Sequence, residues 1–183
     1  MVINNPKLEK YLALSYCWGS PGPDILKLTH KTLFDLTQGV LRGDRFSKTH
    51  QEAFQLARSL SIQYVWIDAL YNLQDDYNDW LTQSTRMGDI YGIAYLTVVA
   101  GSSADSRHGF LQDRHSKVRP YPIPFADNSS SPFLYATSFP SLEEGPTATR
   151  GWCFQESMLS KRSVIFGVEQ LSFRCPAGTI FEF

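Results

Sequence analysis

The chain has 183 residues, enough for one domain with a single sizeable core. Its hydrophobic fraction is 43%, its charged fraction 19% and its net charge −1, with scattered basic residues, which argues against a nucleic-acid binder or a protein steered to anionic membranes. The three cysteines, Cys17, Cys153 and Cys175, have neither zinc-ligand spacing nor the density of a disulfide framework, and they fit a reducing cytosol.

Met1 to Lys10 lacks an apolar signal-peptide core, and no stretch approaches the roughly 18 apolar residues of a membrane span. Tyr11 to Trp18 is a nearly continuous apolar run closed by Gly19-Ser20-Pro21-Gly22-Pro23, which predicts a buried strand ending in a loop. Ile25 to Leu28 is a candidate second strand, and Lys31 to Gly39 a short helix. Thr49 and Glu52 have capping-box spacing ahead of a stripe of Ala53, Leu56, Ala57 and Leu60.

Tyr64 to Leu70 is β-branched and aromatic, a further buried strand. Asp75 or Asp76 caps a helix with Trp80, Met87, Ile90 and Tyr91 on one face; Gln83 shares that face. Tyr95 to Ala100 is another strand. This alternation predicts an α/β domain with a mainly parallel central sheet and flanking helices. Residues 102–146, rich in Ser, Pro and Asp, read as a long insertion or edge hairpin. Gly151 to Leu159 reads as a helix, and Ser163–Phe166 with Gln170–Cys175 as an added β-hairpin.

Three blocks stand out along this frame. They are Tyr11-Leu12-Ala13-Leu14-Ser15-Tyr16-Cys17-Trp18-Gly19, then Tyr64-Val65-Trp66-Ile67-Asp68-Ala69-Leu70 running into Gln74-Asp75-Asp76, then Arg150-Gly151-Trp152-Cys153-Phe154-Gln155-Glu156. In this order, with Met87-Gly88-Asp89-Ile90-Tyr91 between and Leu159-Ser160-Lys161-Arg162 after, they resemble the signature of the HET (heterokaryon incompatibility) domain of filamentous fungi. The resemblance covers residues 11–175, so residues 1–183 read as a single such domain. It implies a cytoplasmic effector of non-self recognition and programmed cell death. That family usually carries C-terminal extensions, so the chain reads as part of a longer protein with a fused sensor.

Ligands of parallel α/β sheets sit at the carboxyl ends of the strands. The expected pocket there takes Tyr16, Trp18, Gly19, Asp68, Tyr71, Gln74, Asp75, Trp80, Arg150, Trp152 and Gln155, with aromatic walls suited to a nucleotide base. Each has a plainer role open to it: the tryptophans as core, Asp75 and Asp76 as helix caps, Arg150 and Glu156 as an ion pair, Cys17 as a small buried hydrophobe. The four histidines lie in loop-like or polar stretches, so no Cys–His nucleophile is expected, and no metal site.

Asp79-Trp80-Leu81-Thr82-Gln83 resembles the HET pattern Asp-Trp-x-x-Glu, with glutamine in place of the acid. The family has been related by fold to TIR domains, whose Trp-Cys-x-x-Glu motif carries the glutamate of NAD-hydrolysing members, and Tyr11 to Tyr16 looks like the first TIR strand. The resemblance thus implies NAD as a substrate rather than a bound cofactor, and catalytic positions at Gln83 and Glu156. With glutamine at position 83, the expected activity is impaired. Tyr71 and Asn72 also depart from the family's Cys-Ile. The alternative is a non-enzymatic module that self-associates or docks on a partner.

Overall fold

The computed structural model of the chain describes residues 9–20, 25–112, 121–124, 133–136 and 145–182. Its strands are β1 (Tyr11–Ser15), β2 (Tyr64–Trp66), β3 (Leu96–Val99), β4 (Tyr121–Pro124), β5 (Phe133–Ala136), β6 (Ser163–Phe166), β7 (Leu171–Cys175) and β8 (Gly178–Phe181). Its helices are α1 (Leu33–Gln38), α2 (Lys48–Ser59), α3 (Asp68–Tyr71), α4 (Tyr77–Ile93) and α5 (Gly151–Leu159). Six strands form one sheet in the order β2-β1-β3-β6-β7-β8, and β4 and β5 pair separately.

β2, β1, β3 and β6 run parallel, while β7 and β8 add antiparallel pairs at one side. The sheet is mixed and the fold α/β. Apolar runs made the inner strands legible, because a strand covered on both faces needs no polar alternation. Leu12 and Leu14 point to one core with Ala53, Ala57, Val98 and Phe110; Ala13 points to the other with Trp66, Met87, Ile90 and Tyr91.

Several local expectations are corrected. β2 stops at Trp66, and Asp68–Tyr71 is helical instead of the strand's end. Ile25–Leu28 is not a strand; the Leu28 amide donates to the Ala69 carbonyl (2.7 Å), and its carbonyl accepts from Gln74 N (2.9 Å). Ser47, not Thr49, caps α2, accepting from His50 N. Glu52 is free of that duty and accepts from Phe110 N (2.5 Å) and Leu111 N (2.7 Å). Asp76 caps α4 through Asn78 N and Asp79 N, as one of the two expected caps. β8 (Gly178–Phe181) adds a strand beyond the expected hairpin.

The expected insertion at 102–146 begins too early. Ser103, Asp105, Ser106 and Phe110 are buried, and Ser106 accepts from Thr49 N at the start of α2. Most of the remainder, including His115, lies outside the described residues, as does Pro21-Gly22-Pro23. No helix among the described residues is long and apolar enough to cross a membrane.

Candidate functional site

The order β2-β1-β3 places a topological switch beside β1, since the chain leaves β1 toward one side and β3 toward the other. Crevices at the carboxyl ends of such strands are the usual ligand sites of open α/β sheets. Tyr16, Cys17 and Trp18 follow β1 there. Asp68 follows β2, and α5 is packed against β1.

The inward face of α5 is polar. Its buried residues are Cys153, Glu156 and Ser157, spaced three and four apart as one helical face. Cys153 Sγ donates to the Tyr16 carbonyl (3.6 Å), and Ser160 Oγ, just beyond the helix, to Thr97 Oγ1 (2.7 Å). Arg174 of β7 holds the Ser157 carbonyl at 2.9 Å. These bonds aim Glu156 at the carboxyl end of β1.

Two carboxyls lie near these strand ends, close enough for the Asp68 charge to act on Glu156. Asp68 accepts from its neighbour Ala69 N (2.7 Å) and from Trp18 Nε1 (3.0 Å). Burial still pushes it up to about 6 against those donors and the nearby Arg150 guanidinium. Glu156 is 6% exposed and is pushed up to about 8, first by burial and then by the Asp68 charge. Tyr91, Ser15 and Arg150 lie against it and oppose the shift. The Ser15 hydroxyl does so without completing a hydrogen bond among the described residues. Burial thus favours the protonated form of both carboxyls, and more strongly that of Glu156, which also feels the Asp68 charge.

Phenols and thiols complete the lining. Tyr16 Oη bonds the buried His50 ring at 2.9 Å, and Tyr91 Oη donates to the Leu14 carbonyl at 3.1 Å. Burial raises both phenols well above their ordinary value. Burial alone lowers His50 to about 4, so it stays neutral. The Cys17 thiol lies against Cys153 and Arg150. Its pKa is lowered, because the hydrogen bond from Cys153 outweighs burial and the guanidinium adds to it. At the mouth Arg150 is exposed, and Lys27 Nζ stands 4.8 Å over the Trp18 ring.

Of the expected site residues, Tyr16, Trp18, Asp68, Arg150 and Glu156 are brought together. Gly19 follows them with φ +89°, and the Asp105 carboxyl occupies the space a Cβ would need. Its role is to let the chain turn against that loop. The other expected residues go elsewhere. Gln74 pins its own loop to the Asp68 and Asn72 carbonyls (3.2 and 2.8 Å), and Asp75 bonds His30. Tyr71 tilts against Trp66. Trp80 is 44% exposed and stacks on Tyr77, because no residue of α4 before Met87 is buried.

Gln83 donates to Asp79 Oδ1 (3.3 Å), and Asp79 in turn accepts from Leu73 N (2.7 Å). Among the described residues no hydrogen bond joins Gln83 to Tyr16, Trp18 or Asp68. Trp152 is 55% exposed, overturning the expectation of a buried ring, and Gln155 is exposed beside it. The sequence reading missed Ser15, Tyr91 and His50; it took Cys17 for a small buried residue, and Cys17 is buried. Tyr91 carried a signal, since it lies on the inward stripe of α4. His50 carried none, because its neighbours Lys48 and Gln51 made the segment look polar.

A groove of about 770 Å³ lies apart from this crevice. It runs along β2, between Phe46 and Phe54 on one side and Arg86 and Ile93 on the other, and includes neither Asp68 nor Glu156.

A family model described as heterokaryon incompatibility protein (HET) matches residues 11–156. No curated protein and no solved structure matched the chain significantly. The matched span runs from the first residue of β1 to Glu156 and so encloses all five residues that meet at the crevice. By that match over most of its length, the chain belongs to the heterokaryon incompatibility protein family, which points to a role in fungal heterokaryon incompatibility.

Proposed function

We propose that the chain is a cytoplasmic effector domain of a fungal non-self recognition and cell-death system, and that it acts by cleaving the nicotinamide–ribose bond of NAD at the Asp68–Glu156 crevice. The observation that supports this reading is the pair of carboxyls gathered at the carboxyl ends of parallel strands, with burial and the Asp68 charge raising Glu156 further than burial raises Asp68. Breaking that bond builds positive charge on the ribose, which a nearby carboxylate stabilises. Asp68 supplies the charge. Glu156 offers a proton donor without a second negative charge. Arg150, exposed at the mouth, suits the dinucleotide's phosphates, and Trp18 offers a ring for stacking. The TIR-like resemblance belongs to this reading, with Glu156 keeping its expected catalytic role and Asp68 taking the place of Gln83.

The test is nicotinamide release by purified protein at high concentration, compared with Asp68→Asn and Gln83→Glu. Asp68→Asn is expected to lower turnover on the order of a hundredfold, the usual effect of losing one charge-stabilising group. Gln83→Glu is expected to change it little. No release by the wild type, or release restored only by Gln83→Glu, contradicts the assignment.

A second reading has its own support. The outward face of α5 carries Trp152, Phe154 and Met158, all exposed, and α4 adds exposed Tyr77, Trp80 and Leu81. Such surfaces suit self-association, or docking on a fused sensor, without chemistry. Sedimentation of the wild type beside Phe154→Lys tests it; a shared monomeric state removes the support for self-association.

A further inference from the structure

β2 is an outer strand of the six-stranded sheet, and among the described residues it has a strand neighbour on one side only, β1. An outer strand presents unpaired N–H and C=O groups along its free edge. The groove of about 770 Å³ runs along β2 and is lined from both faces of the sheet. Phe46, Phe54 and Leu70 line it from the side on which α2 packs, and Trp66, Tyr71 and Ile93 from the side of α4. Side chains of a strand point alternately to the two faces, so a strand laid beside β2 would meet an aromatic and aliphatic wall on each.

Two further observations bear on what fits there. Trp66 lines the groove and is 8% exposed, and its indole N–H has no hydrogen-bond partner among the described residues. Indole is a donor only, and buried donors are normally paired, so the groove is short of an acceptor that a peptide carbonyl would supply. The second observation is charge. Lys10, Tyr95 and Arg162 line the groove and directly precede β1, β3 and β6, so they stand at the amino ends of the parallel strands. The Lys10 ammonium and the Arg162 guanidinium each lie 4.8 Å from the Tyr95 ring centre. Both side chains are exposed, and with Glu9 beside them they leave that end of the groove cationic.

We propose that the free edge of β2 docks an extended peptide of a partner protein, added to the sheet as a further strand, with alternating aliphatic or aromatic side chains and an acidic group toward Lys10 and Arg162. Main-chain hydrogen bonds hold such a peptide, and the two walls select its side chains. The groove includes neither Asp68 nor Glu156, so this inference does not rest on NAD cleavage.

Random heptapeptides displayed on phage are selected on the folded chain after depletion on Ile93→Asp. Ile93 is 60% exposed, so that change charges the groove without emptying the core; equal urea midpoints check it. The most enriched peptide is synthesised and its binding followed by fluorescence anisotropy. It should carry alternating apolar residues and an acid. It should bind Ile93→Asp, and the double variant Lys10→Glu with Arg162→Glu, at least about tenfold more weakly than wild type. Val168→Asp, which places the same charge on an exposed turn after β6, should bind as wild type does. N-methylation of the peptide backbone should abolish binding at alternate residues and spare those between, because an edge strand bonds through every other amide. The proposal is overturned if no peptide is enriched, if the winner binds every variant alike, or if it tolerates N-methylation at every position. A concentration-dependent dimer that Ile93→Asp abolishes would give the edge to a second copy of the chain, and overturns it too. Ile93→Asp leaves the Asp68–Glu156 crevice untouched, so peptide binding and nicotinamide release succeed or fail separately.

Discussion

Glu156 shows how much one side chain's setting can matter. An acid raised to about 8 in the fold, against an ordinary 4.5 in the unfolded chain, binds its proton more tightly when native. Its contribution to stability is therefore full below about pH 4.5 and is lost as pH rises toward 8, by about 1.4 kcal/mol per pH unit at most. The lowered Cys17 thiol pushes the other way in part of that window, and the lowered His50 opposes it below about pH 6.5. The clean observable is a difference. Glu156→Gln should gain stability relative to wild type as pH rises from 5 to 8, measured by urea denaturation at each pH. A constant difference across that range contradicts the raised pKa.

Glu52 gives a second test at this scale. Its buried carboxylate takes the Phe110 and Leu111 amides, and its oxygens stand 2.5 Å from where a Cβ on Gly109 would lie. Glu52→Ala leaves two amides unpaired and should cost about 2–4 kcal/mol in chemical denaturation. Glu52→Gln, which keeps one acceptor, should cost about half. Spacing suggested a capping box for this residue. Only the fold could show that Ser47 had taken the cap and that a loop nearly sixty residues away needed the acid.

The element that most defied its sequence is α5. A surface helix usually turns apolar residues inward. Here Cys153, Glu156 and Ser157 face the sheet, while Trp152, Phe154 and Met158 face out. Reading Trp152 as core followed the general preference of large rings, and the inverted face is why it failed. Trp152→Ala should therefore change stability by less than about 1 kcal/mol, not the 3–5 kcal/mol typical of a buried tryptophan, as judged by the denaturation midpoint. A loss in the larger range would place the ring inside. α4 explains the Trp80 error in a related way. Its apolar spacing was read correctly, but only its second half, from Met87 to Tyr91, reaches the core with Ala13 and Trp66.

Across the whole molecule, the parallel strands were legible because residues such as Leu12, Leu14, Val98 and Val99 form runs that only a covered strand tolerates. Strand order was not, since pairing β1 with both β2 and β3 is a choice made by packing. That order brings Asp68 and Glu156, 88 residues apart in sequence, into one neighbourhood. Their coupling is the claim on which the function rests. The measurement that tests it most directly is a carbon NMR titration of the Glu156 side-chain carboxyl, in the wild type and in Asp68→Asn. A midpoint near about 8 that falls when the Asp68 charge is removed is the predicted result. A midpoint at the ordinary 4.5, unmoved by Asp68→Asn, would contradict the account.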